Sequence, residues 1–246
     1  MTRFKTADGM GLHVRQWTPD SAPKGVVVLI HGYADHGARY GWVASHLTHA
    51  GVAVSALDLR GHGASPGERA FIASFDRLVD DVARFVEAVR DAFVGVPLFV
   101  MGHSMGGLVV ALYAATRKPS VAGVILSSPL LKVSDGVSPF LQRISGIVGA
   151  LLPRLPVLPL DTAAISRDPE AVQAYVADPL VYHGRIVART GAEMTRAANR
   201  IQACMEDVTL PLLLLHGTAD RLCDVNGSRQ MHDRARSSDK TLKLFD

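Results

Sequence analysis

The sequence predicts an α/β protein: a mostly parallel β-sheet flanked by helices. Three observations predict it. Short continuous runs of β-branched and aliphatic residues recur, as strands buried on both faces require. Most are followed by a turn and then by a helical pattern. The chain of 246 residues is 48% hydrophobic and 20% charged, enough for one sizeable core without disulfide or metal staples.

Val26–Ile30 is the first clear strand and stops at His31-Gly32. Val52–Leu57 is the second and ends in Asp58-Leu59-Arg60-Gly61-His62-Gly63, where glycines permit a sharp turn. From Phe75 to Phe93 the spacing predicts a helix. Phe75, Leu78, Val79, Val82, Phe85, Val86 and Val89 form its apolar stripe, and Asp76, Arg77, Asp80, Asp81, Arg84 and Glu87 take the other face. Pro97–Met101 is a third strand, followed by a helix from Ser104 to about Arg117. Val121–Leu126, Leu212–Leu215 and Thr241–Phe245 complete the strands, with a helix over Val225–Ala235 before the last.

The rhythm breaks between Leu130 and Asp207. Six prolines, including Pro139, Pro153 and Pro179, punctuate apolar stretches at 144–152 and 155–160 that show no strand–helix alternation. This reads as a helical insertion over the sheet, with 1–129 and 208–246 as core and 130–207 as cap or lid. An apolar cover of this kind suits an apolar ligand.

Composition excludes several classes. The charge of +3 comes from scattered Lys and Arg interleaved with acids, without the basic stripe of a nucleic-acid partner. No stretch approaches a membrane span, and the N-terminus lacks a signal-peptide core. Cys204 and Cys223 are too few for a disulfide framework and are expected to be reduced thiols of a cytoplasmic protein; of two readings, a place near the site or ordinary, partly buried thiols, the second is preferred. No Cys/His cluster has metal-ligand spacing, and the glycine-rich loops lack nucleotide-binding patterns, so neither metal nor cofactor is expected.

Chemistry concentrates in Gly102-His103-Ser104-Met105-Gly106-Gly107. It fits G-x-S-x-G between a strand and a helix, the setting that exposes a serine hydroxyl on a tight turn. The helix start adds free N–H groups where a substrate carbonyl oxygen would gain negative charge. Tyr33 and Met105 are the candidate backbone donors for that oxyanion. Asp220, in Gly217-Thr218-Ala219-Asp220 after the Leu212–Leu215 strand, is the candidate triad acid, which would orient a histidine and stabilise its cation. His31 is read as a packed histidine that shapes its turn, and Asp224 as facing into the next helix.

These residues resemble the monoacylglycerol lipases and bacterial lysophospholipases of the α/β-hydrolase superfamily. The matching segments are His31–His36, Gly61–Ser65, Gly102–Gly107, Ile165–Pro169, Asp178–Val181, Gly217–Asp224 and Asp239–Lys243. The resemblance implies Ser104 as nucleophile, Asp220 as triad acid, and Tyr33 with Met105 as oxyanion hole. It further implies a lid that accepts an acyl chain and a small-molecule lipid or ester substrate. The apolar lid is compatible with transient contact at a membrane surface. In the family the histidine follows the last strand, so it is expected roughly four residues beyond Asp246, together with a final helix. The chain as written is therefore expected to be nearly inactive, and less stable than a longer form.

Two rivals stand beside this reading. Serine at position 104 argues against dehalogenases and epoxide hydrolases, which use aspartate there, but peptidases and cofactor-free haloperoxidases share Ser-Asp-His. A chain without the histidine would also suit a non-catalytic module that binds a lipid or a partner.

Overall fold

A computed structural model describes residues 2–132 and 146–246. Its frame is an eight-stranded sheet with the order β1-β2-β4-β3-β5-β6-β9-β10. The strands are β1 (Arg3–Lys5), β2 (Gly11–Trp17), β3 (Gly25–Ile30), β4 (Val52–Leu57), β5 (Leu98–His103), β6 (Gly123–Ser127), β9 (Leu212–Gly217) and β10 (Lys240–Phe245). From β4 to β10 every neighbouring pair is parallel; β2 runs antiparallel to β4, and β1 to β2. The expected mostly parallel α/β sheet is thus present. β3 lies at its centre with all six residues buried, which is why it reads as an unbroken apolar run.

Helix α2 (Phe75–Ala92) buries all seven residues of its expected stripe. It also buries Asp81, a correction to its placement on the polar face: the Arg60 guanidinium reaches in and donates to its carboxylate at 2.7 Å. A buried carboxylate persists where a guanidinium pairs with it. Helix α3 (Met105–Arg117) runs through the core and contacts α2, β5 and β6. The expected strand at Val121–Leu126 starts two residues later, and the strand from Pro97 runs on to His103, delivering Ser104 at its tip.

β1, β2 and α1 (Gly41–His49) were not anticipated. Their exposed or mixed faces leave no periodic apolar signal; α1 buries only Ala44.

Between β6 and β9 no described strand joins the sheet. This stretch holds helical residues 146–151, a two-stranded ribbon of β7 (Pro156–Leu158) with β8 (Ile186–Val187), α4 (Pro169–Ala177) and α5 (Ala188–Gln202). Pro139 and the start of the 144–152 run lie outside the described residues. Helix α5 is seated on the core: Ala197, Ala198 and Ile201 pack in the main apolar cluster with Met105 and Leu108. Helix α6 (Val225–Arg234) follows β9, and the Asp224 carboxylate caps it by accepting from the Asn226 N–H.

Candidate active site

Ser104 takes φ 52° and ψ −118°, a backbone conformation rare for a residue with a side chain. The surroundings enforce it. Its N–H donates to the Ser127 carbonyl at 3.0 Å, and its own carbonyl accepts from Leu108 and Leu130 N–H groups. β5 and α3 then close so tightly that a Cβ on Gly102 would stand 2.3 Å from the Gly106 carbonyl oxygen. The small residues flanking the serine are therefore a packing requirement.

The residues expected to act together, Ser104, Met105, Tyr33 and Asp220, line one cavity of about 1450 Å³, shared with residues of the stretch between β6 and β9. Met105 is the first residue of α3, where an N–H has no intrahelical acceptor. No hydrogen bond occupies the Tyr33 N–H among the described residues, so both donors are free for an oxyanion. The stretch between β6 and β9 steadies the loop carrying Tyr33. The Tyr182 N–H donates to the Ala34 carbonyl at 2.9 Å, and His36 Nε2 lies 3.0 Å from Asp178 Oδ2. This joins two of the sequence segments, His31–His36 and Asp178–Val181, into one contact.

Asp220 sits in the turn after β9. Its Oδ1 accepts from the Leu222 and Cys223 N–H groups at 2.8 and 2.9 Å, and its Oδ2 faces His216 Nε2 at 3.4 Å. Burial works to raise its pKa, but hydrogen bonds from His216 and from those backbone N–H groups prevail and hold the carboxyl below its usual range. Asp220 is thus ionised at neutral pH, the charge state a triad acid needs.

The same turn decides against the preferred reading of Cys223 as an ordinary thiol and for its place near the site. Binding of its N–H by Asp220 aims the side chain into the cavity, where Sγ lies 3.6 Å from Ser104 Oγ. Burial, with the Asp220 charge nearby, pushes this thiol up to about 12, so it stays neutral. Cys204 bonds instead to the Arg200 carbonyl.

All ten histidines lie among the described residues, and none hydrogen-bonds to Ser104. His31 is fixed between the Gly32 carbonyl and the Leu59 N–H, as a turn-shaping residue should be. His103 Nδ1 faces the Ser127 hydroxyl. His216 lies between the Ser228 hydroxyl at 2.7 Å and two acceptors, the Cys223 carbonyl and Asp220. Its Nε2 therefore carries the proton, and its Nδ1 accepts from Ser228. His232 is on α6 beside Asp233.

His62, packed against His31 and Tyr33, makes the site acid-sensitive. Burial, aided by His31, pushes its imidazole down to about 3. Unfolded, it titrates near 6.5. Between those values only the unfolded chain binds the proton, so stability falls as pH drops below about 6.5, by up to about 1.4 kcal/mol per pH unit. Burial shifts His31 and His103 in the same direction. His62→Phe keeps an aromatic ring without the proton site. Its melting temperature is expected to fall less steeply than that of the parent between about pH 6.5 and 5; parallel curves would remove His62 as a cause.

Residues 21–246 match the family described as serine aminopeptidase, S33. The chain is 41% identical to a monoacylglycerol lipase of Mycolicibacterium smegmatis over 242 residues, covering 98% of this chain and 86% of that protein. It is 36% identical to the human monoglyceride lipase, covering 98% and 80%. Among solved structures, the monoacylglycerol lipase of Paleococcus ferrophilus superposes with a TM-score of 0.83 at 35% identity, covering 96% of this chain and 89% of that one. A soluble variant of the Saccharomyces cerevisiae monoglyceride lipase, in complex with a substrate analog, gives 0.86 at 25% identity, covering 100% and 85%.

Proposed function

The chain belongs to the serine aminopeptidase S33 family of α/β-hydrolases and is a carboxylic ester hydrolase; from that premise we propose that it acts on single-acyl lipids, monoacylglycerols or lysophospholipids, through an acyl-enzyme on Ser104. The observation that carries this reading is the convergence of Ser104, two free N–H donors and an ionised Asp220 on one covered cavity. Ser104 Oγ attacks the ester carbonyl carbon. The oxygen that gains charge is held by the Tyr33 and Met105 N–H groups; loss of one such donor costs about 2.7–4 kcal/mol in the transition state. The bond to the alcohol breaks, leaving the acyl group on Ser104, and water then releases the acid. None of the ten histidines hydrogen-bonds to Ser104, so its proton passes to an imidazole supplied from solution, which Asp220 would orient and stabilise.

The cavity suits the substrate class. Leu158, Leu160, Ile186 and Met194 offer apolar wall for an acyl chain. The ion-paired Asp35 and Arg39, with Arg39 over the Tyr175 ring, offer polar groups for a small hydroxylated head. Exposed Leu151, Leu152 and Leu155 form an apolar patch in the proposed cap. That patch suits transient contact with a membrane surface from a reducing, cytoplasmic compartment. Among the described residues no helix is long and apolar enough to cross a membrane. Peptidase and haloperoxidase activities are not favoured, since the relatives are monoacylglycerol lipases.

The test is capture of the intermediate. Incubation with p-nitrophenyl octanoate and free imidazole, followed by mass spectrometry of digested peptides, is expected to find the octanoyl group on the Ser104 peptide and nowhere in Ser104→Ala. An octanoyl group on another residue, or faster turnover of p-nitroanilides than of esters, would overturn the reading.

A further inference from the structure

We propose that Gly191 sets the length of acyl chain that the cavity accepts, which makes it a specificity-determining residue; this rests on the reading of the cavity as an acyl-chain site. Gly191, Met194, Thr195 and Ala198 recur at helical spacing along α5 and line the cavity together. Glycine weakens a helix interior relative to alanine, so its presence there needs a reason. The two usual reasons are absent. Its φ is not positive. Nor does any neighbour approach closely: among the described residues an added Cβ would meet only Ile186 Cγ2, at an ordinary 3.8 Å. Gly149, where a Cβ would come within 3.0 Å of the Ala188 carbonyl, shows what a packing glycine looks like in the same region. What the missing side chain leaves at Gly191 is lumen.

The wall that carries Gly191 is fixed, so the lumen cannot widen by moving it. Thr190, fully buried, accepts from the Ile72 N–H at 3.0 Å and donates to the Ala70 carbonyl. The buried Glu193 carboxylate accepts from the Phe75 N–H at 2.9 Å and so caps α2, whose preceding Ser74 supplies no side-chain cap. Arg189 and Arg196 hold the other carboxylate oxygen. Residues on both sides of Gly191 therefore bolt the first turns of α5 to the core. Ala198 packs in one cluster with Met105, and Gly191 lies about 10 Å before it along α5, so a larger side chain at 191 projects into the cavity away from Met105 and takes the space of the distal methylenes of a long chain.

The experiment uses uncleavable ligands, so that it is independent of turnover. Octylglycerol and hexadecylglycerol ethers, which lack the ester carbonyl, are titrated against a dansyl fatty acid bound to the parent chain, Gly191→Ala and Gly191→Leu. Each buried methylene strengthens binding by about fourfold. Gly191→Leu is expected to weaken hexadecyl binding by at least about tenfold and to leave octyl binding within about twofold. Gly191→Ala is expected to shift the same way by less, and to melt higher than the parent. An unchanged hexadecyl affinity in both variants overturns the proposal, and so does an equal loss for the two lengths. If the parent chain binds neither ether, the acyl-site reading itself fails and the proposal falls with it.

Discussion

Gly106→Ala is expected to lower the melting temperature by about 10 °C or more and to erase ester hydrolysis. A Cβ at this position would stand 2.3 Å from the Ile30 carbonyl oxygen and 2.4 Å from that of His31. Both oxygens belong to backbone at the end of the central strand, and Ile30 is fully buried. No rotamer change relieves the contact; α3 must lift off β3. Overpacking costs about 1–3 kcal/mol where side chains can yield, and more where only backbone can. Each kcal/mol moves the melting temperature of a chain this size by roughly 2–4 °C. The same shift would carry the Met105 N–H away from the oxyanion position, so stability and activity should fall together. Gly41→Ala is the control: nothing lies within 4 Å of its added Cβ, and Gly41 already has helical φ and ψ. Scanning fluorimetry and ester assays on the two variants decide it. Equal melting temperatures would mean that α3 is not seated on β3 as closely as described.

Free imidazole should raise p-nitrophenyl octanoate turnover by the 246-residue chain by roughly tenfold or more, and should do nothing further through the Ser104→Ala protein. The chain holds a serine in its elbow, free N–H donors and an ionised acid, but none of its ten histidines reaches Ser104 Oγ. The atom beside that oxygen is a neutral thiol sulfur, which is no base. A positioned general base contributes about 10²–10⁴-fold, and a diffusing one recovers part of that. Without imidazole, the parent and Ser104→Ala should hydrolyse at similar slow rates, because triad members act as a unit and the remainder comes from the oxyanion hole and binding. Imidazole also cleaves activated esters by itself, so the difference between the two proteins is the quantity to read. Fast, Ser104-dependent turnover with no added imidazole would instead assign the base to a group already in the chain.

Much of this was legible in the residues. Buried strands announce themselves as unbroken apolar runs, so β3, β4, β5, β6, β9 and β10 were found to within two residues at each end. The elbow was legible because its steric demand is written in small residues around one serine. The short strands β1 and β2 and helix α1 were not, because an element with one or two buried residues has no period to detect. Asp81 was misplaced for a related reason. A polar residue on the border of an apolar stripe goes inside only if a cation comes to meet it, and Arg60 does so from 21 residues away.

The sequence by itself determined the fold class, the strand–turn–helix setting of Ser104, and the residues that could serve as acid and oxyanion donors, since each follows from local pattern and spacing. Only the tertiary structure decided which groups meet. It put Cys223 rather than a histidine against Ser104, tied His216 to Asp220 and Ser228, and joined the stretch between β6 and β9 to the loop of Tyr33 through His36 and Asp178. It also separated a glycine that opens a cavity from glycines that let backbones touch. Apart from His216–Asp220, those contacts span from 12 to 142 residues of chain, and hydrogen bonds and close packing over such distances leave no periodic trace in the order of the residues.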